Sequence, residues 1–494
     1  MLKIFRMLAL LTHCNDARKL DQIHAQILTD GCFAIPAISN KLLNSYARFN
    51  ALRLSQILFH QIKNPLTIHW NSIIKAFSHG PDALQAVKYY NRMASCHSSH
   101  PNSITFSSVL VACGRINAGN KCMEIHGSTI RSGFRSDVVV CTNLIWCYAA
   151  FGELGSMRKV FDEMTERNLV AWNSLISCYS QMGFHREALM LFDEMKSGGV
   201  GFDGFSLVGL LSACADVGAL GVGVELHRLG REKGLMDNVY LGNALIDMYA
   251  KCGSLDEALL VFNGMKERDI FSWNSIIVGY GVHGFGDRAI SLFKKMLPAG
   301  VKPDSITFLG LLCGCSHQGL VQNGVDYFET MSSEFGLKPD VKHYGCIVDL
   351  YGRAGKLSRA LEVIESSPFS DSAVLWRTFL ASSRMHKDVR NGEKALEKLK
   401  ELGALKAGDC ILVAGIYGEA RDLKGVARMR RMIKYGGLTA TPSSSWIEID
   451  GRIRKFVAND ASRLDFEEMY CRLQEMVREA SVAESEFEQL QVGL

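Results

Sequence analysis

Three copies of one phrase carry the side chains best suited to recognition. Trp70-Asn71-Ser72-Ile73-Ile74 returns as Trp172-Asn173-Ser174-Leu175-Ile176 and as Trp273-Asn274-Ser275-Ile276-Ile277. An asparagine amide holds a donor and an acceptor side by side. Such a residue binds by hydrogen bonding and performs no reaction of its own. One Asn near a helix start is most simply a cap or a polar surface residue. Four of them, Asn71, Asn173, Asn243 and Asn274, recurring at one place in a repeat argue for a shared task.

Reactive chemistry is harder to find. The one H-x-E, His185-Arg186-Glu187, has no C-x-x-C to accompany it, although the chain has 15 cysteines. No phosphate-cradling loop or nucleophile motif stands in a plausible context. Cys113, Cys214 and Cys315 share one repeat position and read as buried free thiols. His126 and His227 also share a position, where packing is the default. An odd number of scattered cysteines fits a compartment that keeps thiols reduced. No catalytic residue, metal site or cofactor is expected.

The elements that position the asparagines follow from a ruler of about 101 residues, which the Trp-Asn-Ser phrases and the cysteines both obey. The period breaks into units spanning 169–203, 204–238 and 239–269. In the first, Trp172, Leu175, Ile176 and Tyr179 make the apolar stripe of one amphipathic helix. Gly183 stops it. Ala188, Leu191, Phe192 and Met195 repeat the stripe on a second helix, ended by Gly198-Gly199. One helix pair cannot bury its own apolar face, so stacked pairs share a core. The fold expected is all-α: a right-handed superhelical α-solenoid of helix-turn-helix repeats. This replaces the three domains of ~150 residues that 494 residues would otherwise suggest. At 48% hydrophobic and 21% charged the chain is globular. The apolar stretch Gly204–Leu226 is broken by Asp216 and Glu225, so no membrane span is expected. Met1–Thr12, basic and acid-free, reads either as part of a targeting segment or as a first repeat helix.

The repeats resemble the pentatricopeptide family, in its plant P, L and S branch. The alternating unit lengths carry the resemblance, as do Asn243-Ala244-Leu245-Ile246-Asp247-Met248-Tyr249-Ala250-Lys251-Cys252-Gly253 and the joints Val301-Lys302-Pro303-Asp304 and Leu337-Lys338-Pro339-Asp340. An incomplete L repeat covers 1–35. Repeats in the order S-P-L-S-P-L-S-P-L-S cover 36–371. Two further helix pairs, 372–441, resemble the family's E extension. Ser445 to Phe456 alternates about Asp450-Gly451, a β-hairpin pattern, within an E+-like segment 442–494. That segment has Ser443 where the family often has Gly, and Ala461-Ser462-Arg463-Leu464 in place of Ser-His-Pro. A helix is expected over 465–479.

The resemblance implies a single-stranded RNA-binding protein, one base per repeat, as the general account of this family has it. The fifth and last residues of a repeat would choose the base. Asn71 with Asn102 implies a pyrimidine, and Thr142 with Asn168 implies adenine. Asn173 with Asp203, Asn243 with Asp269, and Asn274 with Asp304 imply uracil, then cytosine. Ile68, Val139, Val170, Tyr240 and Phe271, the second residues, would sandwich the bases. Val208 and Leu309, in L repeats, cannot hydrogen-bond. Gly345 leaves Asp371 nothing to orient, and Asn40 with Leu66 is not read. Counting back from a target cytidine, the resemblance implies a pyrimidine at −12, adenine at −10, and pyrimidines at −9, −7 and −6.

The function so implied is site recognition for C-to-U editing of an organellar transcript, in the mitochondrion or alternatively the chloroplast. A DYW-type cytidine deaminase would be recruited in trans, with organellar editing cofactors as partners. The family's own zinc deaminase, with H-x-E and C-x-x-C, is not expected here. Alternatives are RNA stabilisation or splicing, and a tetratricopeptide-like protein scaffold. The formal charge of +4 hides a division. From Ala461 onward eight acids face three bases, net −5, which leaves +9 for the remainder. A basic repeat region suits salt-sensitive phosphate contacts.

Overall fold

The computed structural model describes residues 2–96 and 98–438, with two strands at Ser444–Ile449 and Arg452–Val457. The described chain is a helical-repeat solenoid of 26 α-helices, nearly without strand. Helices come in pairs, for example Thr67–His79 with Ala83–Ala94, Leu169–Gln181 with His185–Ser197, and Ile270–Val282 with Gly286–Met296.

Local chemistry sets the ends of many of the first helices. Asn102, Asn168, Asp304 and Asp340 cap their helices by accepting backbone N–H bonds, each cap worth about 1 kcal/mol. Beyond the first helix the chain turns through a left-handed residue. Gly183 and Gly284 take it at φ 79° and 82°, where a Cβ is unwelcome. Asn50 and Asn117 fill the same place at φ 58° and 54°, tolerable for Asn.

The chain forms two compact units, residues 1–216 with 225–244, and 217–224 with 245–494. In the first, the helices Pro36–Arg48, Thr67–His79, Ser103–Arg115, Val138–Ala150 and Leu169–Gln181 pack in succession, each on the next. Leu2–His13 joins this row with Met7 and Leu11 fully buried. The basic apolar start therefore packs as a repeat helix does. Trp70 lies edge-on to Phe59 at 4.7 Å and Trp172 to Phe161 at 4.8 Å. The second unit repeats the contact with Trp273 and Phe262, again at 4.8 Å. Such pairs add about 0.5–1.5 kcal/mol beyond burial. All three indole N–H groups are buried without a partner, a cost of about 1–3 kcal/mol each that ring packing must offset.

Helices Ile270–Val282 and Ser305–Gln318, both in the second unit, approach through glycine. A Cβ on Gly281 would stand 2.2 Å from the Gly310 carbonyl oxygen. A Cβ on Gly314 would likewise stand 3.1 and 3.0 Å from the Cα atoms of Gly281 and Gly286. In the same unit, the strand β1 (Ser444–Ile449) pairs antiparallel with β2 (Arg452–Val457), Ile449 opposite Arg452. Two residues, Asp450-Gly451, separate the strands, as the alternation pattern requires. The Glu448 carboxylate accepts the N–H groups of Gly221 and Val222 at 2.9 and 3.0 Å, at the start of helix Leu220–Glu232.

Cys113, Cys214 and Cys315 are fully buried. Burial pushes the Cys113 thiol up to about 12 and that of Cys315 to about 11, so neither is a thiolate at neutral pH. Among the described residues no group of three His, Cys, Asp or Glu is placed to hold a metal. No described helix is long and apolar enough to cross a membrane. His185 and Glu187 lie in the first turn of the helix His185–Ser197. The segment 458–494, with the helix expected over 465–479 and the acidic run, lies outside the described residues.

Candidate nucleic-acid interface

The fifth residue of each repeat sits one turn into its first helix, inside the element rather than at its cap. Asn102, Asn168, Asp203, Asp269 and Asp304, each the last residue of its repeat, cap the following helix. Stacking brings the two together. Asn71 Nδ2 donates to Asn102 Oδ1 at 3.1 Å, Asn173 Nδ2 to Asp203 Oδ1 at 3.0 Å, and Asn274 Nδ2 to Asp304 Oδ1 at 3.0 Å. One capping oxygen therefore holds both a helix end and the amide of the preceding repeat.

A third residue completes each arrangement, and pairing fifth with last residues does not reveal it. Thr105 Oγ1 donates to Asn71 Oδ1 at 2.5 Å, Ser206 Oγ to Asn173 Oδ1 at 2.6 Å, and Thr307 Oγ1 to Asn274 Oδ1 at 2.6 Å. All three hydroxyl residues are fully buried. An amide offers four hydrogen-bonding capacities. Two are used here, which leaves one N–H and one lone pair on each Asn. Asn71 and Asn274 are themselves only 8% and 5% exposed.

The remaining expected pairs differ. Thr142 Oγ1 donates to its own helix at Val139 O, 3.0 Å, while Asn168 Oδ1 accepts from Ala171 N–H at 3.0 Å. The two side chains are not bonded to each other. Asn243 lies half-buried in the helix Val239–Lys251, and Asp269 caps the helix Ile270–Val282. Asp371, opposite Gly345, turns to Lys398 at 3.3 Å. Asn40 Oδ1 accepts from Ser72 Oγ at 2.7 Å.

The second positions are apolar yet open. Ile68, Val139, Val170, Tyr240 and Phe271 are between 43% and 65% exposed. Large exposed apolar side chains recurring at one repeat position mark a contact surface. The same holds for Ile104, Phe205 and Ile306 in the L-type units. Phe205 and Tyr240 face each other at 6.5 Å with planes 32° apart. An open groove of ≈ 720 Å³ is lined by Val170, Asn173, Asp203, Phe205, Val208 and Trp146, among others. Two successive second-position side chains thus flank the amide and the carboxylate in one cavity.

The histidines do structural work. His126 Nδ1 lies 2.9 Å from the Tyr148 hydroxyl, and His24, which the sequence ruler did not reach, lies 3.1 Å from that of Tyr46. Burial holds both imidazoles below their usual pKa, so they stay neutral in the folded protein.

Comparison with known proteins agrees with the repeat fold. The PPR repeat matches residues 170–200, 243–270 and 342–366. The PPR repeat family matches 268–317, the pentatricopeptide repeat domain 127–182, and the E motif 386–448. The Arabidopsis thaliana pentatricopeptide repeat-containing protein At3g56550 is 47% identical over 477 residues, 96% of this chain and 82% of its own length. The putative pentatricopeptide repeat-containing protein At3g11460, mitochondrial, from the same plant, is 34% identical over 94% of this chain and 74% of its own. The crystal structure of the pentatricopeptide repeat protein PPR10 in complex with an 18-nt psaJ RNA element is similar in fold, with a TM-score of 0.65 at 18% identity. The match covers 88% of this chain and 64% of that one, just under two thirds of its length. With its repeats, its E motif and a relative this similar along nearly its whole length, the chain belongs to the pentatricopeptide repeat family.

Proposed function

We propose that the protein binds single-stranded RNA, reading about one base per repeat, and marks a site for C-to-U editing in an organellar transcript. The groove at Val170, Asn173, Asp203 and Phe205 is the observation that carries this reading. It offers stacking walls, worth about 1–3 kcal/mol per base, around an amide with one donor and one acceptor left over. In this reading Asn71, Asn173, Asn243 and Asn274 face pyrimidines, Thr142 with Asn168 faces adenine, and Ile68, Val139, Val170, Tyr240 and Phe271 are the sandwiching residues. The repeats follow the P, L and S order over 36–371. The E-type pairs and the hairpin, continuing as an E+-like segment, recruit a DYW-type deaminase in trans, and editing cofactors assist. The protein itself performs no catalysis. A mitochondrial site is proposed ahead of a plastid one; the names of relatives include both compartments.

Transcriptome sequencing of a loss-of-function plant tests the biological half. One organellar cytidine should lose editing completely, with pyrimidines at −9, −7 and −6 upstream. Normal editing at every site would overturn it. Unchanged editing together with a lost or mis-spliced transcript would leave RNA binding and remove the editing role.

A further inference from the structure

We infer that the buried hydroxyl at the third position of the following repeat, in Thr105, Ser206 and Thr307, is a specificity-positioning residue that fixes which way the reading amide points. This rests on the proposal that Asn71, Asn173 and Asn274 read bases.

The hydrogen bonds close a circuit of fixed direction. Asn274 Nδ2 donates to Asp304 Oδ1 at 3.0 Å, and the Asp304 backbone N–H donates to Thr307 Oγ1 at 3.1 Å. Thr307 Oγ1 then donates to Asn274 Oδ1 at 2.6 Å, while Thr307 N–H holds Asp304 Oδ1 at 3.0 Å. A backbone N–H can only donate, so the hydroxyl oxygen is occupied as acceptor. Its single proton has two acceptors in reach, Asn274 Oδ1 at 2.6 Å and Asp304 Oδ1 at 3.1 Å, and the shorter contact takes it. The circuit recurs at Asn173, Asp203 and Ser206 with 3.0, 3.2 and 2.6 Å, and at Asn71, Asn102 and Thr105 with 3.1, 3.1 and 2.5 Å. Flipping an amide would set its oxygen against the capping oxygen and forfeit the shortest bond. Donor and acceptor are therefore presented to the groove in one order.

A plain capping role explains less. A hydroxyl at this helix position can complete a capping box wherever it stands, so it should be indifferent to the fifth residue 34 or so positions upstream. In sequence it is not. Asn71, Asn173, Asn243 and Asn274 are followed by Thr105, Ser206, Ser272 and Thr307. Ser107, Thr142, Val208, Leu309 and Gly345 are followed by Val140, Ala171, Leu241, His343 and Val374. Asn40 is the exception, followed by His69, and it receives its hydroxyl from Ser72 instead. The hydroxyl thus accompanies the amide, not the cap.

The test uses the full chain and synthetic single-stranded RNA. Affinity is measured for the matched RNA and for RNAs changed singly at the base facing Asn274 or at the base facing Asn173. Thr307→Val should lower discrimination about tenfold at the first base and leave the second unchanged, and Thr307→Ser should restore it. Ser206→Ala should do the reverse. The inference is overturned if Thr307→Val keeps full discrimination, or if it weakens all RNAs equally, as loss of a cap alone would. A wild-type protein with no preference at either base would instead sink the underlying reading, and that outcome is visible before any substitution is made.

Discussion

Replacing Asn173, Asn243 and Asn274 together with alanine is expected to abolish discrimination between matched RNA and RNA with purines at the three facing positions. Base-edge contacts of this kind are worth about 1–3 kcal/mol each. Three of them give a loss of affinity for the matched RNA of about a hundredfold or more. Stacking by Val170, Tyr240 and Phe271 is untouched, so the variant should retain weak binding to both RNAs alike. That residual equality separates the expected outcome from misfolding, in which neither RNA binds. Equilibrium binding of both RNAs, with a circular dichroism melt of each protein, reads the result. A variant that still prefers the matched RNA would place the discrimination elsewhere.

The second large effect is on the fold. Gly281→Ala should strongly destabilise the second unit. The new methyl would lie 2.2 Å from the Gly310 carbonyl oxygen and 3.1 Å from its carbon. Both are backbone atoms, so no flexible side chain can yield. Overpacking typically costs about 1–3 kcal/mol, and more where backbone must move. Gly155→Ala is the contrast, because nothing stands within 4 Å of a Cβ there. It sits in the helix Leu154–Asp162, where Ala is favoured over Gly by about 0.5–1 kcal/mol. The first substitution should lower the melting temperature by about 5 °C or more, the second should leave it level or raise it. Equal behaviour of the two would mean that the helices do not meet as closely as described.

The repeat was legible because it is written in large residues at fixed spacing. Trp70, Trp172 and Trp273 set the ruler, and each packs on a Phe in the second helix of the preceding unit. The hairpin was legible because alternation and a two-residue Asp-Gly link fix its register. The glycine contact was not, since Gly281, Gly310 and Gly314 look like helix weakeners until the neighbouring backbone is in place. Nor was the Glu448 contact with Gly221 and Val222, because nothing local couples residues so far apart in sequence. At the candidate site, the family resemblance pointed to the fifth and last residues, and the recurring Asn supported it. Thr105, Ser206 and Thr307 did not stand out, because a Ser or Thr three residues past an Asx cap is already explained by the cap. Only the bond to an amide of the previous repeat gives the hydroxyl a second task. The open second positions of the L-type units, Ile104, Phe205 and Ile306, were passed over with the unreadable Val208 and Leu309, although stacking needs no hydrogen-bonding neighbour.

The most direct measurement is the equilibrium affinity of the unmodified chain for two single-stranded RNAs at one fixed salt concentration. One carries pyrimidines at −9, −7 and −6, with uracil preferred, and the other purines at those three positions. Binding to the first should be tighter by about a hundredfold or more, with both affinities falling as salt rises. Equal binding to the two RNAs, or measurable binding to neither, would contradict the reading of Asn173, Asn243 and Asn274 as base-selecting residues.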